Sequence, residues 1–406
     1  MTPLIQITPK RILAGLLLAL VVLTGATVTR HPANGPIVHT IVLGMNPTNV
    51  AVDGVTGHAF IVDRNTNGYA ALGQGTVRLV DTRAGTLLHA APVGPDPREA
   101  VIDARNGRVL VANDDDSSVS ILDARSGALL GVTRVGSHPH AVAVDTRTDR
   151  AFVVNSGDGS VSVLDARTDR VLRTVRLGAR DFALSSIAVD EQAGRVFVAD
   201  AAGGAALVRV LDARNGAIRQ TNTGSSAPSS SAPSYAYPSG LYGLAAAGRL
   251  VVDPAPVFGA PGGRVFLVNS AGLSVLDART GRALRTIAVA GTASAVAVDT
   301  RHHRLYVASI NGRDANGAPA GPGRVMALDE RSGTILRTVD AGMSPRGLAV
   351  DAGTGHVIVV DEGGSMTVSD AWAWIPAGLR QRLPFLNTPI RTRAVPASVV
   401  VFDMAR

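Results

Sequence analysis

The sequence contains no cysteine. That excludes disulfides, thiolate metal sites and thiol nucleophiles at once. A folded domain without disulfides must rely on packing and on protecting its own sheet edges. Lysine is nearly absent too: Lys10 is the only one, so the formal net charge of +7 is carried almost wholly by arginine. The arginines recur singly in turns (Arg83, Arg125, Arg167, Arg214, Arg279, Arg331) rather than gathering in one place. Nucleic-acid affinity needs cations that converge on one phosphate track, so this spacing points to a solvated surface and away from nucleic acid. Aromatic residues make up 4% and charged residues 17%, against 46% apolar. That balance excludes a disordered chain and leaves enough apolar side chains for a large core.

The first thirty residues read as a targeting segment. Lys10 and Arg11 precede the apolar run ILAGLLLALVVL, and the small-residue stretch TGATVT follows. This is the order of a secretory signal, with Ala26 as the candidate cleavage position. The alternative is a retained anchor, because Ile12 to Val28 is almost long enough to span a bilayer and would tether the chain to a membrane. Either way the rest of the chain is expected to be exported: periplasmic, at the cell surface or extracellular.

From residue 37 onward one pattern returns seven times. An apolar strand ends in aspartate at Asp53, Asp103, Asp145, Asp190, Asp253, Asp299 and Asp351. After a turn comes a second strand: AFIVD, VLVAN, AFVVN, VFVAD, VFLVN, LYVAS and VIVVD. The third is equally regular, from VRLVD through VSILD and VSVLD to the terminal VVVFD. A turn such as DARTG leads into a fourth strand such as RVLRTVRLG. Short Val-, Ile- and Leu-rich runs bounded by Gly, Asp, Asn or Pro are strands, not helices. Asp81, Asp123 and Asp165 are spaced 42 residues apart, the period of a four-stranded propeller blade. The last unit stops after its third strand, and IVHTIVLG at residues 37–44 matches the missing fourth. The expectation is all-β: a seven-bladed β-propeller of four-stranded antiparallel blades, closed by the N-terminal strand completing the last blade. It would be one domain over residues 37–406 with insertions at 221–240 and 362–396, and a monomer.

The second-strand ends LVAN at Asn113, FVVN at Asn155, FLVN at Asn269 and the looser LYVAS at Ser309 resemble the YVTN repeat of a family of seven-bladed propellers. Asp63, Asp200 and Asp361 replace the asparagine elsewhere. The resemblance spans residues 37–406 and implies the fold, but it implies no particular activity.

In such a blade the first-to-second and third-to-fourth turns share one face. The third-to-fourth turns are nearly uniform (DTRAG, DARSG, DARTD, DARNG, DARTG, DERSG), so their aspartates and arginines read as turn chemistry. Most long loops fall on the opposite, irregular face: RNTNGYAALGQG with Tyr69, INGRDANGAPAGPG, the Thr221–Gly240 link, and the excursion from Glu362 to Pro396. Function concentrates on irregular loops held by a rigid scaffold, so the expected binding sector is blades six, seven and one. The excursion holds Trp372, Trp374 and Phe385 with Arg380, Arg382, Arg391 and Arg393. It reads either as a docking arm, for a partner or a membrane surface, or as a lid folded over the central channel.

Catalytic and metal signatures are sparse. No Ser/His/Asp set, phosphate-cradling loop or isolated carboxylate pair rises above the repeat. His138 and His140 flank Pro139 and read as a solvated link. Hard oxygen groups at Asp63, Asp115 and Asp158, with Asn113 and Asn155, would lie along one arc and would suit Ca²⁺ if an ion binds at all. No cofactor is expected otherwise. The leading expectation is a non-enzymatic scaffold presenting its irregular face to a protein, a glycan or another ligand. The alternative is a catalytic propeller, either a metal-assisted lactone or ester hydrolase or a dehydrogenase-like electron-transfer subunit.

Overall fold

The computed structural model describes residues 27–30, 37–43, 46–67, 70–71, 73–178, 184–200, 207–223, 250–253, 263–269, 272–311, 321–367 and 392–404. Among these there is no helix, and hence none long and apolar enough to cross a membrane. The strands form seven antiparallel blades around a ring. Their spans are 47–95, 97–134, 139–176, 184–223, 250–287, 292–340, and 345–403 completed by 37–42. The first strand of each blade lies next to the first strands of both neighbours, so these strands line the axis.

Closure occurs as the repeat count requires. Ile37–Val42 pairs antiparallel with Ser398–Asp403, with Ile41 opposite Val399. Blade seven also gains a fifth strand, because Thr27–Arg30, which falls inside the expected targeting segment, pairs with Ile37–Val42. Two of the loops carry short ribbons. Thr66–Asn67 pairs with Ala70–Ala71, and Gly364–Thr367 pairs with Thr392–Val395 at the base of the blade-seven excursion.

Burial explains why the repeat is so apolar. Most second strands follow the pattern of one half-buried residue and then five buried ones, as in His58–Asp63 and Arg150–Asn155. Both faces of such a strand are covered by neighbouring blades, so apolar residues run continuously rather than alternating. The buried side chains fall into clusters that each bridge two adjacent blades, including one joining blade seven to blade one through Ile41, Ile61 and Val399. The third residue of the second strand is Phe60, Phe152, Phe197, Phe266 or Tyr306 in five blades, and Leu110 or Ile358 in the others, all fully buried. Each such side chain stabilises its blade by about 1.5–3 kcal/mol through burial. Fourth strands, at the rim, are mostly exposed.

The turns work as their sequence suggests. Asp123 Oδ1 accepts the amides of Arg125 (3.0 Å) and Ser126 (2.7 Å), and Asp165 and Asp329 repeat the arrangement. The closing glycine takes positive φ at Gly127 (75°). In the one turn that ends in aspartate, Asp169 takes that conformation itself (φ 60°) and pairs with Arg108 of the neighbouring blade. Aspartate is among the few non-glycine residues that tolerate it.

Candidate functional site

The docking-arm residues Trp372, Trp374, Arg380, Arg382 and Phe385, together with Tyr69, lie outside the described residues. The acidic arc does not gather on one point. Asp63, Asn113 and Asn155 occupy the same repeat position, the last of the second strand, and each is fully buried and engaged by its own blade. Asp63 accepts a hydrogen bond from Arg78 and another from the Asn65 amide at 3.3 Å. Asn113 Nδ2 donates to Ser118 and Ser120, both at 2.9 Å, and Asn155 does the same with Ser160 and Ser162. Asp158 accepts from Ser160 Oγ at 2.5 Å and from the Ser137 amide at 3.3 Å.

These pairings obey a rule. Where the third strand offers arginine two residues past the position opposite, the second ends in aspartate: Asp63 with Arg78, and Asp200 with Arg209 (2.8 Å). Where it offers serine, the second ends in asparagine, as also for Asn269 with Ser274 (2.7 Å). A buried carboxylate needs a cation, whereas an amide is satisfied by hydroxyls. Blade seven has Val400 at that place, with Ser398 opposite, and Asp361 turns instead to the amides of Met343 (3.2 Å) and Ser344 (2.6 Å); blade six, with Met326 there, ends in Ser309.

One residue further on, the side chains reach out of the blade and meet their neighbours. Arg64 follows the second strand of blade one and donates to Asp96 in the link to blade two. Asp96 also receives Arg98 Nη2 at 2.7 Å. Arg98 in turn donates through Nε to Asp114 Oδ2 at 2.8 Å, and His138 Nδ1 lies 2.6 Å from Asp114 Oδ1. His140 Nδ1 is 4.0 Å from the other Asp114 oxygen. Ion pairs thus link blades one and two on the irregular face, and His138 in the link to blade three stands against their end. Blade seven repeats the Arg98–Asp114 geometry with Arg346 and Glu362 at 2.8 Å.

Local sequence sets this up. Asp96 and His138 each precede a proline and each hold positive φ (48° and 50°), which sends the link over the face before the first strand begins. Burial opposes ionisation of Asp114, but the neighbouring His140, the Arg98 charge and His138 outweigh it and hold the carboxyl down to about 2. Asp115 is driven the other way, by burial and by the neighbouring charges of Asp96 and Asp114. Donor atoms of Asp114, Asp115 and His138 all lie within 4.8 Å of one another, the one such group among the described residues. Asp115 therefore meets Asp114 and His138 rather than Asp63 or Asp158, and the histidine link is part of the site. Aligning the repeats on the residue before each link proline and the residue after each second strand would have brought these positions together.

The described architecture defines a closed seven-bladed β-propeller with one face of uniform capped turns and one charged, irregular face. The chain belongs to the PQQ_2 family, described as outer membrane protein assembly factor BamB, which matches residues 73–339. No curated protein matches the chain. Among solved structures, a Kuenenia stuttgartiensis hydrazine synthase chain is similar, with a TM-score of 0.55 and 15% identity, covering 82% of this chain and 95% of that one. At that identity the likeness shows the fold alone.

Proposed function

We propose that this chain is an exported, non-enzymatic propeller scaffold of the YVTN-repeat kind that presents its irregular face to a protein partner. The observation that carries the proposal is the run of ion pairs from Arg64 through Asp96 and Arg98 to Asp114, continued by the Asp114–His138 contact to the link of the third blade on that face. A rigid row of alternating charges favours a partner with the complementary row and disfavours others. On the turn face, by contrast, the aspartates are largely consumed in capping backbone amides. The family's description as an outer membrane protein assembly factor supports a protein partner and a place outside the cytoplasm. The basic and apolar residues from Lys10 to Val28 support export.

The test compares two double variants of the full chain, isolated from the source cells with whatever they retain. Arg98→Ala with Asp114→Ala removes the centre of the row, whereas Arg125→Ala with Arg167→Ala alters the turn face. Quantitative mass spectrometry should find partners lost from the first and kept by the second. Loss from the turn-face variant alone would sink the proposal.

A further inference from the structure

We propose that Asp114, Asp115, His138 and His140 form a binding site for one zinc-class divalent cation at the boundary of blades two and three. The inference goes beyond the scaffold reading, because the ion is held by this chain's own side chains with or without a partner. Two carboxylates come from the loop after Arg108–Asn113, and two imidazoles flank Pro139 at the entry to the next blade. Donor atoms on one ion at bond lengths of roughly 2.0–2.2 Å lie about 3 to 4.4 Å apart. Those of Asp114, Asp115 and His138 already lie within 4.8 Å of one another, and His140 Nδ1 is 4.0 Å from Asp114. His140 stands outside that 4.8 Å group, and a turn of its ring towards Asp114 would bring in the fourth ligand.

The chemistry of the donors selects the ion. Ca²⁺ and Mg²⁺ take oxygen ligands almost exclusively, whereas paired imidazoles with carboxylates suit Zn²⁺, Co²⁺ and Ni²⁺. The supporting residues are also in place. Arg98, itself held by Asp96, orients Asp114 through its Nε. Asp116 accepts from Ser118 Oγ at 2.6 Å and ties down the end of the loop. Partners of this kind fix ligand orientation and contribute to affinity. The charge balance favours a cation as well, since among the described residues Asp96, Asp114 and Asp115 are paired with no permanent positive charges other than Arg64 and Arg98.

The test uses the full chain stripped with EDTA and then titrated separately with ZnCl₂, CoCl₂ and CaCl₂ by calorimetry. Zn²⁺ should bind at one equivalent with a Kd on the order of micromolar or tighter. Co²⁺ should give visible d–d absorption, and Ca²⁺ should show no uptake at the same concentrations. Asp115→Asn, at an exposed position that leaves the blade intact, and His138→Gln should each weaken Zn²⁺ binding by about tenfold or more. His89→Gln, on the distant outer strand of blade one, should leave it unchanged. No stoichiometric Zn²⁺ uptake, uptake that is unaltered in both Asp115→Asn and His138→Gln, or a preference for Ca²⁺ would each overturn the proposal.

Discussion

The correlated choice of Asp with Arg and of Asn with Ser at the blade interior can be tested by exchanging one solution for the other. Asp63 is 1% exposed and its partner Arg78 15%. In Arg78→Ser the carboxylate stays buried without its cation, and breaking such a pair from one side costs about 3–5 kcal/mol. In Asp63→Asn the arginine loses a charge-assisted hydrogen bond worth about 1.5–3 kcal/mol but keeps some access to water. The double variant recreates the amide–hydroxyl pairing that Asn113 and Asn155 already make in blades two and three, with all four hydrogen bonds at 2.9 Å. It should lie within about 1 kcal/mol of the natural chain, so that the coupling energy between the sites is about 3.5 kcal/mol or more. Urea unfolding of the full chain and the three variants, followed by fluorescence and circular dichroism, gives the cycle. A double variant as unstable as the sum of the two singles would refute the pairing rule.

Other consequences follow from particular side chains. Glu330 stands in a turn where blades two to five have Ala124, Ala166, Ala213 and Ala278, and it is fully buried. Burial, then the hydrogen bond and charge of Asp253, push its carboxyl from 4.5 up to about 8 against the pull of Arg264. The folded state therefore holds this proton through a window in which the unfolded chain has released it. The stabilising contribution is complete below about pH 4.5 and is lost as pH rises towards 8, at about 1.4 kcal/mol per unit. Thermal melts across that range should show a falling stability that Glu330→Ala flattens, and an equal slope in both proteins would contradict the assignment. Gly342 sits at φ +85°, and a Cβ there would lie 2.3 Å from Asp361 Cγ. Gly342→Ala should therefore destabilise by more than about 1 kcal/mol in the same unfolding assay. Ile41→Ala, in the strand that closes the ring, should cost about 2–5 kcal/mol, whereas Leu130→Ala on an exposed outer strand should change stability by no more than about 0.5 kcal/mol.

Much of the fold is legible in the residues because each repeat states the same strand, turn and strand in order, and because a missing fourth strand at one end matches a spare one at the other. Even the exceptional DARTD turn is readable, since Asp169 is one of the few residues able to replace the glycine. The site is less legible. Asp63 and Asn113 look like surface ligands when read as a row of polar residues. Their true partners, Arg78 and Ser118 with Ser120, appear only when the third strands are laid beside the second. The approach of His138 to Asp114 is harder still to foresee, because it depends on how one blade's link passes over its neighbour's loop. No periodicity within a single repeat encodes that placement.

The working face itself can be tested most directly by placing a photoreactive amino acid at position 115 on the irregular face and, in a separate chain, at position 125 on the turn face. Irradiated in the source cells, the chain labelled at 115 should form a discrete covalent adduct with a partner protein, and Arg98→Ala should diminish it. The chain labelled at 125 should form none. Adducts from 125 with none from 115 would contradict the assignment of the irregular face as the surface through which this propeller acts.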